Sequence, residues 1–319
     1  MSKLHTSAAP HINSGATTHN VMRDVVIALL PATIAAVVLF GLQALLLVLV
    51  CVGAAVASEF LFNLACKKKQ TIFDFSAVVT GLILALNLST KVALWQAAVG
   101  SVFAIVVVKC LFGGLGKNIV NPAIAARVFM LIAFASVAGA SLPVLGTDTS
   151  FFGVAFSDTT DIIVSGATPL ANLAEFNLGT LFLGNHGGTI GETCVIALLL
   201  GYAYLVFRGV IKWYVPFAFV ATVFLLFLVR DGATIALSQV LAGGLLFGAI
   251  FMATDYVTTP LSNLGKVVFC IGCGVLTFAI RIGFVGGYPE GVSISILFMN
   301  LLTPIIERYT NPRTLGGIK

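Results

Sequence analysis

Hydrophobic residues in this 319-residue chain form long, nearly uninterrupted runs that are separated by short polar stretches. A helix needs about 20 consecutive apolar residues to cross about 30 Å of hydrocarbon, and most of these runs come close to that length. The pattern predicts ten membrane spans, at residues 22–40, 44–64, 76–88, 92–111, 123–140, 192–208, 213–229, 236–253, 264–281 and 289–306.

Two of the predicted spans differ from the rest. The run 76–88 is short, and the run 123–140 begins directly after the glycine-rich turn FGGLGKNIVNP, in which Pro122 suits the first turn of a helix. Both indicate broken or half-length helices, which a bilayer tolerates only where protein covers the loose backbone.

The amino-acid composition also indicates a membrane protein. Hydrophobic residues make up 59% of the chain, charged residues only 9%, and the mean hydropathy is +1.08, whereas soluble domains have about 45–50% apolar and about 25% charged residues. The composition excludes a soluble domain and predicts an all-α integral membrane protein. It favours lipid as the surroundings and gives no reason to expect a nucleic-acid partner.

The positions of Lys and Arg predict the orientation. With the N-terminus inside, fourteen of these residues fall at inner ends of spans, and only Lys91, Arg230 and Arg281 fall outside. This asymmetry follows the positive-inside rule. The segment 141–191 contains four acidic residues and no Lys or Arg, so we expect it on the outer face. The expected location is the cytoplasmic (inner) membrane, with both termini inside.

A weak internal repeat is visible in the glycine-rich turns. Gly113-Gly114 precedes the fifth predicted span and Gly286-Gly287 precedes the tenth. Five spans per half is an odd number, so the halves must be inverted, and inverted repeats typically build a site at their interface. The expected organisation is a first five-helix repeat with an inner tail, an outer loop and a second repeat, at residues 1–140, 141–191 and 192–319. A chance likeness of two turns is the alternative.

The tetrapeptide S-G-A-T occurs twice, at residues 14–17 and 165–168. The first copy lies in the predicted inner tail and the second in the predicted outer loop. On spacing alone, an ordinary loop turn explains either copy. Their different sides of the membrane distinguish them.

Five segments of the chain together resemble the RnfD family, the D subunits of the Rnf electron-transport complex, and more distantly the B subunits of the sodium-pumping NADH:quinone reductase. The resemblance runs over nearly the whole chain. The segments are PHINSGATTHNVMRDVVIALLPA, FSAVVTGLILALNLS, FGGLGKNIVNPAIAARVF, SGATPLA and MATDYVTTP.

The resemblance implies a covalent flavin on the outer S-G-A-T, in which the hydroxyl of Thr168 is joined to the phosphate of FMN. Ser165, Gly166 and Ala167 complete this binding motif, and the two small residues leave room for a transferase. Asp161 is a carboxylate that could assist. The flavin would carry the redox chemistry while the protein holds and tunes it.

A second, noncovalent flavin, which the resemblance suggests is riboflavin, is expected on the inner side. Asn118 and Asn121 lie at the mouth of a predicted half-helix, and Asp255 lies at the inner end of the eighth span. Packing of the inverted halves would bring their amide and carboxylate groups together. Helix capping is the alternative, because Asn and Asp are favoured caps.

Ionisable side chains close to the hydrocarbon are costly to place there, so each of them is a candidate for a functional role. Glu59 lies within the second span, Asp24 begins the first and Glu307 ends the last, and all three are candidates for an ion pathway. The structural alternative for Glu59 is a salt bridge to Lys67–Lys69 or to Arg127.

The cysteines and His186 give no metal site. Cys270 and Cys273 form a C-x-x-C pair, but a metal site needs about four ligands, and the other cysteines are scattered. Within an apolar helix such cysteines are typical packing residues. His186, in GNHGG, is interpreted as a loop histidine.

Two classes of function remain. The first is a redox subunit, not catalytic alone, that passes electrons between the ferredoxin and NAD branches of a complex translocating Na⁺ or H⁺, with the other Rnf subunits (RnfA, RnfB, RnfC, RnfE and RnfG) as partners. The chain has no dinucleotide fingerprint and no ferredoxin-like cysteine run, so ferredoxin and NAD should bind other subunits. The second is a stand-alone transporter or channel without redox chemistry.

Overall fold

The computed structural model describes residues 17–134, 178–184, 186–283 and 291–310, and only the backbone of residues 178 and 180. Within these ranges the regular elements are helical. They are α1 (Thr18–Phe40), α2 (Leu42–Ala65), a 3₁₀ turn (Ile72–Asp74), α3 (Ser76–Leu86), α4 (Leu94–Val102) continuing as a π-helix (Phe103–Cys110), α5 (Pro122–Ala133), α6 (Leu178–Leu183), α7 (Val195–Phe207), α8 (Tyr214–Asp231), α9 (Ala233–Leu241), α10 (Leu245–Phe247) continuing as a π-helix (Gly248–Met252), α11 (Asn263–Arg281) and α12 (Val292–Thr310).

Each of the ten predicted spans contains a helix, and the all-α membrane class is confirmed. In the described part of the chain, five helices are long and apolar enough to cross a membrane, and the bent pair α9–α10 would make a sixth. The five are α1, α2, α8, α11 and α12. The chain is a multi-pass membrane protein.

The other helices are short or interrupted. The two predicted half-length helices are α3, with 11 residues, and α5, with 12. The prediction missed two further features. The span 236–253 bends by 63° between α9 and α10, where Gly243 and Gly244 have φ values of 73° and 67° that favour glycine. The span predicted from residue 192 begins only at Val195, because the residues before it form a buried loop.

Helix packing follows the same scheme in both halves of the chain. In the first half α2 packs on α3 and α4, and α4 continues into contact with α5. In the second half α8 packs on α9 and α11, and α11 packs on α12. Between the halves, α1 packs on α7 and α5 on α12. The first helix of one half therefore contacts the first helix of the other, and the fifth helix of one half contacts the fifth helix of the other. The inverted orientation and the boundaries of the repeats stay predictions.

Candidate functional site

A cavity lies between the two halves, with about 730 Å³ of empty volume when its open mouth is included. The first half contributes α1, α3, Lys109 and the turn before α5, and the second contributes the end of α7 and residues 250–257. Its wall is mainly apolar with a few polar groups, which is the usual character of a small-molecule site. The chemistry of the wall therefore suits a small organic ligand.

Asn118, Asn121 and Asp255 all line this cavity, although the last lies more than a hundred residues from the other two. The chain reaches this arrangement because the turn before α5 and the residues after the second π-helix lie beside the same cavity. Whether the three residues bind a flavin stays a prediction. Their hydrogen bonds differ, and the difference decides which of them has free capacity for a ligand.

Asn121 acts as a helix cap. Its Oδ1 accepts from the backbone nitrogen of Ala123 at 3.0 Å and of Ile124 at 3.5 Å, at the start of α5. The Asp255 carboxylate accepts from the backbone nitrogen of Val257 at 3.3 Å and from the hydroxyl of Thr258 at 3.1 Å. The capping alternative therefore describes the bonds of Asn121, whereas Asp255 forms its bonds within a turn where no helix begins.

Asn118 is different, because its Oδ1 is buried and has no hydrogen-bond partner among the described residues. Buried polar atoms are bonded in the great majority of cases, so an open acceptor in a cavity wall indicates a place for a donor from a ligand. Burial also raises the pKa of the Asp255 carboxyl above its ordinary value, while the bonds from Val257 and Thr258 act in the opposite direction.

Lys109 is a cavity residue that sequence reasoning did not single out. It is 1% exposed, and its Nζ donates to Glu59 Oε1 at 3.0 Å, to Glu59 Oε2 at 2.9 Å and to Ser76 Oγ at 2.6 Å. Thr71 donates to the same carboxylate at 2.6 Å. Two buried groups of opposite charge thus form one pair beside the start of α3.

The partner of Glu59 is Lys109, not Lys67–Lys69 or Arg127, which the structural alternative named. Arg127 instead donates to Asn87 Oδ1 at the far end of α3. The reason is register: the Lys109 side chain enters the protein from the end of the π-helix, while the lysine cluster follows the end of α2 and is exposed. A role for Glu59 in ion movement stays a prediction.

The other two ion-pathway candidates also have partners. Asp24 forms a salt bridge with Arg208 at 3.1 Å and accepts from Tyr204 at 3.2 Å. It lies in the wall of a more open cleft that adjoins the cavity. Glu307 accepts from the backbone nitrogen of Leu261 at 2.9 Å. All three carboxylates therefore have structural bonds, and ion movement through them stays a prediction.

The two S-G-A-T copies have different positions relative to the described residues. Thr17 is the N-cap of α1, and its hydroxyl accepts from the backbone nitrogen of Asn20 at 3.3 Å. Residues 14–16 lie outside the described part, as do Asp161, Ser165, Gly166, Ala167 and Thr168. Covalent attachment to Thr168 stays a prediction.

A buried loop before α7 was also missed. Glu192 and His186 are 5% and 3% exposed, although His186 had been interpreted as an ordinary loop histidine and Glu192 had not been considered. The signal was in the sequence: glycines surround both residues in GNHGGTIGE. Glycines permit close approach of the backbone to a neighbouring element.

The described fold and cavity define a class: an all-helical, multi-pass membrane protein with a mainly apolar cavity between two similarly packed halves. The chain belongs to the NQR2, RnfD, RnfE family, whose model matches residues 5–316.

Named relatives are similar over nearly their full length. The chain is 44% identical to the D subunit of the Na⁺-translocating ferredoxin:NAD⁺ oxidoreductase complex of Acetobacterium woodii, over 99% of this chain and 96% of that protein. It is 37% identical to the D subunit of the proton-translocating ferredoxin:NAD⁺ oxidoreductase complex of Clostridium ljungdahlii, over 97% and 95%. It is also 37% identical to the D subunit of the ion-translocating oxidoreductase complex of Stutzerimonas stutzeri, over 93% and 91%.

Proposed function

We propose that this chain is the flavin-carrying membrane subunit of an Rnf-type ion-translocating ferredoxin:NAD⁺ oxidoreductase complex. In this role it passes electrons across the membrane between an inner noncovalent flavin and FMN on Thr168. Family membership and the names of the full-length relatives support the complex. The observation that carries the flavin role is the cavity between the halves, in which Asn118 Oδ1 has no partner among the described residues.

The chemistry of the cavity wall supports an isoalloxazine ring as its ligand, and riboflavin is the proposed occupant. Val79, Ile83 and Ile250 provide apolar walls, and Asn118 can accept from a ring N–H. When bound, a flavin supplies one- and two-electron redox chemistry, while the protein holds it and excludes water. The Lys109–Glu59 pair would set the local field without adding net charge.

Variants of the cavity test this part of the proposal. Asn118→Leu and Asp255→Leu should lower the noncovalent flavin content of the purified chain, because each replaces a polar group in the wall. Asn263→Leu is the matched control, since Asn263 is exposed at the start of α11 and lies outside this cavity. Flavin extracted with acid and measured by chromatography gives the stoichiometry. Equal noncovalent flavin in all four proteins would remove the cavity from the proposal.

The covalent flavin has its own test, made in a host that contains the flavin transferase. Thr168→Ala should remove in-gel flavin fluorescence after denaturation. Thr17→Asn is the control, because Asn keeps the cap of α1 and lacks the acceptor hydroxyl. Fluorescence should persist in that control. A wild-type chain without a covalent flavin would favour a transporter without redox chemistry, and an adduct on Thr17 would overturn both the motif choice and the orientation.

The remaining parts of the proposal concern partners and orientation. The other Rnf subunits would bind ferredoxin and NAD, and loop 141–191 would lie outside the cytoplasmic membrane. Cysteine accessibility tests this orientation: a Cys introduced at Ser157 should react with an impermeant maleimide in intact cells, whereas native Cys66, at the end of α2, should react only after permeabilisation.

A further inference from the structure

The loop of residues 186–193 is folded into the protein against the end of α3. Gly191 N donates to Leu86 O at 2.7 Å, and Ile190 N donates to Leu88 O at 3.0 Å. A Cβ on Gly191 would lie 2.5 Å from the Cβ of Leu86, so the glycine permits this approach. The loop therefore closes the carboxyl end of a half-length helix of the first half.

Glu192 points from this loop toward the second half. Its Oε1 accepts from the backbone nitrogen of Thr189 at 3.0 Å. Its Oε2 lies against the helix break, since a Cβ on Gly244 would be 2.5 Å from it. Within the described residues this buried oxygen has no hydrogen-bond partner. A carboxylate oxygen is thus placed between the end of α3 and the break that separates α9 from α10.

Two hydroxyl groups in the same loop are also buried without a hydrogen bond to another described residue. Thr189 and Thr193 are 2% and 1% exposed, and neither hydroxyl has a partner in the described part of the chain. Glu192 and Thr193 both flank Gly188, where an added Cβ would lie 3.1 Å from Glu192 Oε1 and 3.2 Å from the Thr193 methyl. Leaving a buried polar group unbonded is unfavourable, and more so for a charged group, so several in one loop indicate a missing ligand.

The charge of the surroundings limits what that ligand is. The Arg281 guanidinium binds the carbonyl oxygens of Gln239, Ala242 and Gly243. Glu192 forms no salt bridge in the described part of the chain. The carbonyl oxygens bind the Arg281 guanidinium without removing its positive charge, and the loop offers a ligand the hard oxygen atoms of Glu192, Thr189 and Thr193.

We propose that Glu192 Oε2 and the hydroxyls of Thr189 and Thr193 bind one alkali cation of the size of Na⁺. Oxygen donors suit hard cations, and a single carboxylate balances a single positive charge. In transporters built from inverted repeats, interrupted helices coordinate the coupling ion near the repeat interface. The site shares no residue with the proposed flavin sites, so a test can disprove one of the two proposals without affecting the other.

Thermal unfolding of the full chain in detergent tests the site. NaCl is titrated against choline chloride at constant ionic strength, because a ligand of the native state raises the unfolding temperature in proportion to its binding. The wild type should be stabilised by Na⁺ more than by K⁺. Glu192→Gln should abolish the Na⁺-dependent shift, and Thr193→Val should raise the Na⁺ concentration for half of the shift at least tenfold. Asp231→Asn removes a partly exposed carboxylate at the end of α8 and should keep the full shift.

A protonated, purely structural Glu192 predicts a different result. Gln is an isosteric replacement for the neutral acid, so Glu192→Gln would then leave the response to Na⁺ as in the wild type, which overturns the site. A wild type without a specific Na⁺ response overturns it equally. If Glu192→Gln does not fold, the wild-type titration and Thr193→Val decide between a Na⁺ site and a purely structural role for Glu192.

Discussion

The two halves of the molecule each place one cationic side chain at the end of their fourth helix, but the two side chains bind different kinds of partner. Lys109 lies at the end of the fourth helix of the first half and pairs with the carboxylate of Glu59. Arg281 lies at the end of the fourth helix of the second half and binds carbonyl oxygens at the break between α9 and α10. One half therefore depends on a pair of full charges, and the other on a cation that satisfies loose backbone.

The difference follows from the third helix of each half. In the first half α3 begins beside Lys109, and the ion pair fixes its start through Ser76. In the second half the third helix is interrupted, and its last carbonyls need donors. The planar guanidinium presents several N–H groups in a fixed fork, which an ammonium cannot do. The choice of Lys or Arg thus reflects what each helix leaves unpaired.

The largest effect is expected at the ion pair. Lys109→Met leaves Glu59 as an uncompensated buried charge and should destabilise the chain by about 3–5 kcal/mol. The double variant Lys109→Met/Glu59→Gln should recover most of this loss, because neither position then carries an uncompensated buried charge. Chemical unfolding in detergent micelles, analysed as a double-mutant cycle, measures the coupling. Simple addition of the two single effects would show that the pair has no special energetic link.

Arg281→Lys should have a smaller effect, about 1–3 kcal/mol, because an ammonium cannot reach all of the carbonyls and leaves some unbonded. Hydrogen exchange should accelerate locally at residues 242–245. Arg230→Lys is the control, since its contact with Asp231 is partly exposed and such pairs contribute little. Unchanged exchange at the break in Arg281→Lys would refute the role assigned to the guanidinium.

The space beside two helix glycines also differs between the halves. A Cβ on Gly81 of α3 would lie 2.8 Å from Cys51 O on α2, whereas one on Gly274 of α11 would meet the Thr222 side chain at 2.6 Å. Backbone yields less than a side chain, so Gly81→Ala should cost more than Gly274→Ala, by overpacking of about 1–3 kcal/mol. Gly53→Ala, where no atom lies within 4 Å, should stabilise. Thermal unfolding ranks the three variants, and the reverse order would contradict the packing argument.

The smallest effect is expected at the start of the fifth helix. Asn121 caps α5 with its side chain, whereas α12 follows Gly291, which has no side chain to do so. Asn121→Ala should cost about 1 kcal/mol, while Asn121→Asp keeps an acceptor for the cap. Thermal unfolding separates the cap from flavin binding when the noncovalent flavin is measured in parallel. Equal stability of the two variants would argue against a capping role.

The sequence by itself determined the membrane class and the approximate position of a helix within each predicted span. These properties are local, because the length of an apolar run decides whether a helix can cross hydrocarbon. The turn before Pro122 predicted the half-length α5 for the same local reason. The break at Gly243-Gly244 was not predicted, since glycines are common in membrane helices and packing decides which of them interrupt the helix.

The partners of the charged groups were decided by the tertiary structure alone. Glu59 and Lys109 are separated by 50 residues in the chain, and nothing in two apolar spans indicates which faces meet. The same holds for the cavity that joins Asn118 to Asp255, and for Glu192, which a glycine-rich loop carries into the protein. A uniformly apolar helix has no polar face to specify its neighbours, so the burial of each charge depends on how the helices pack.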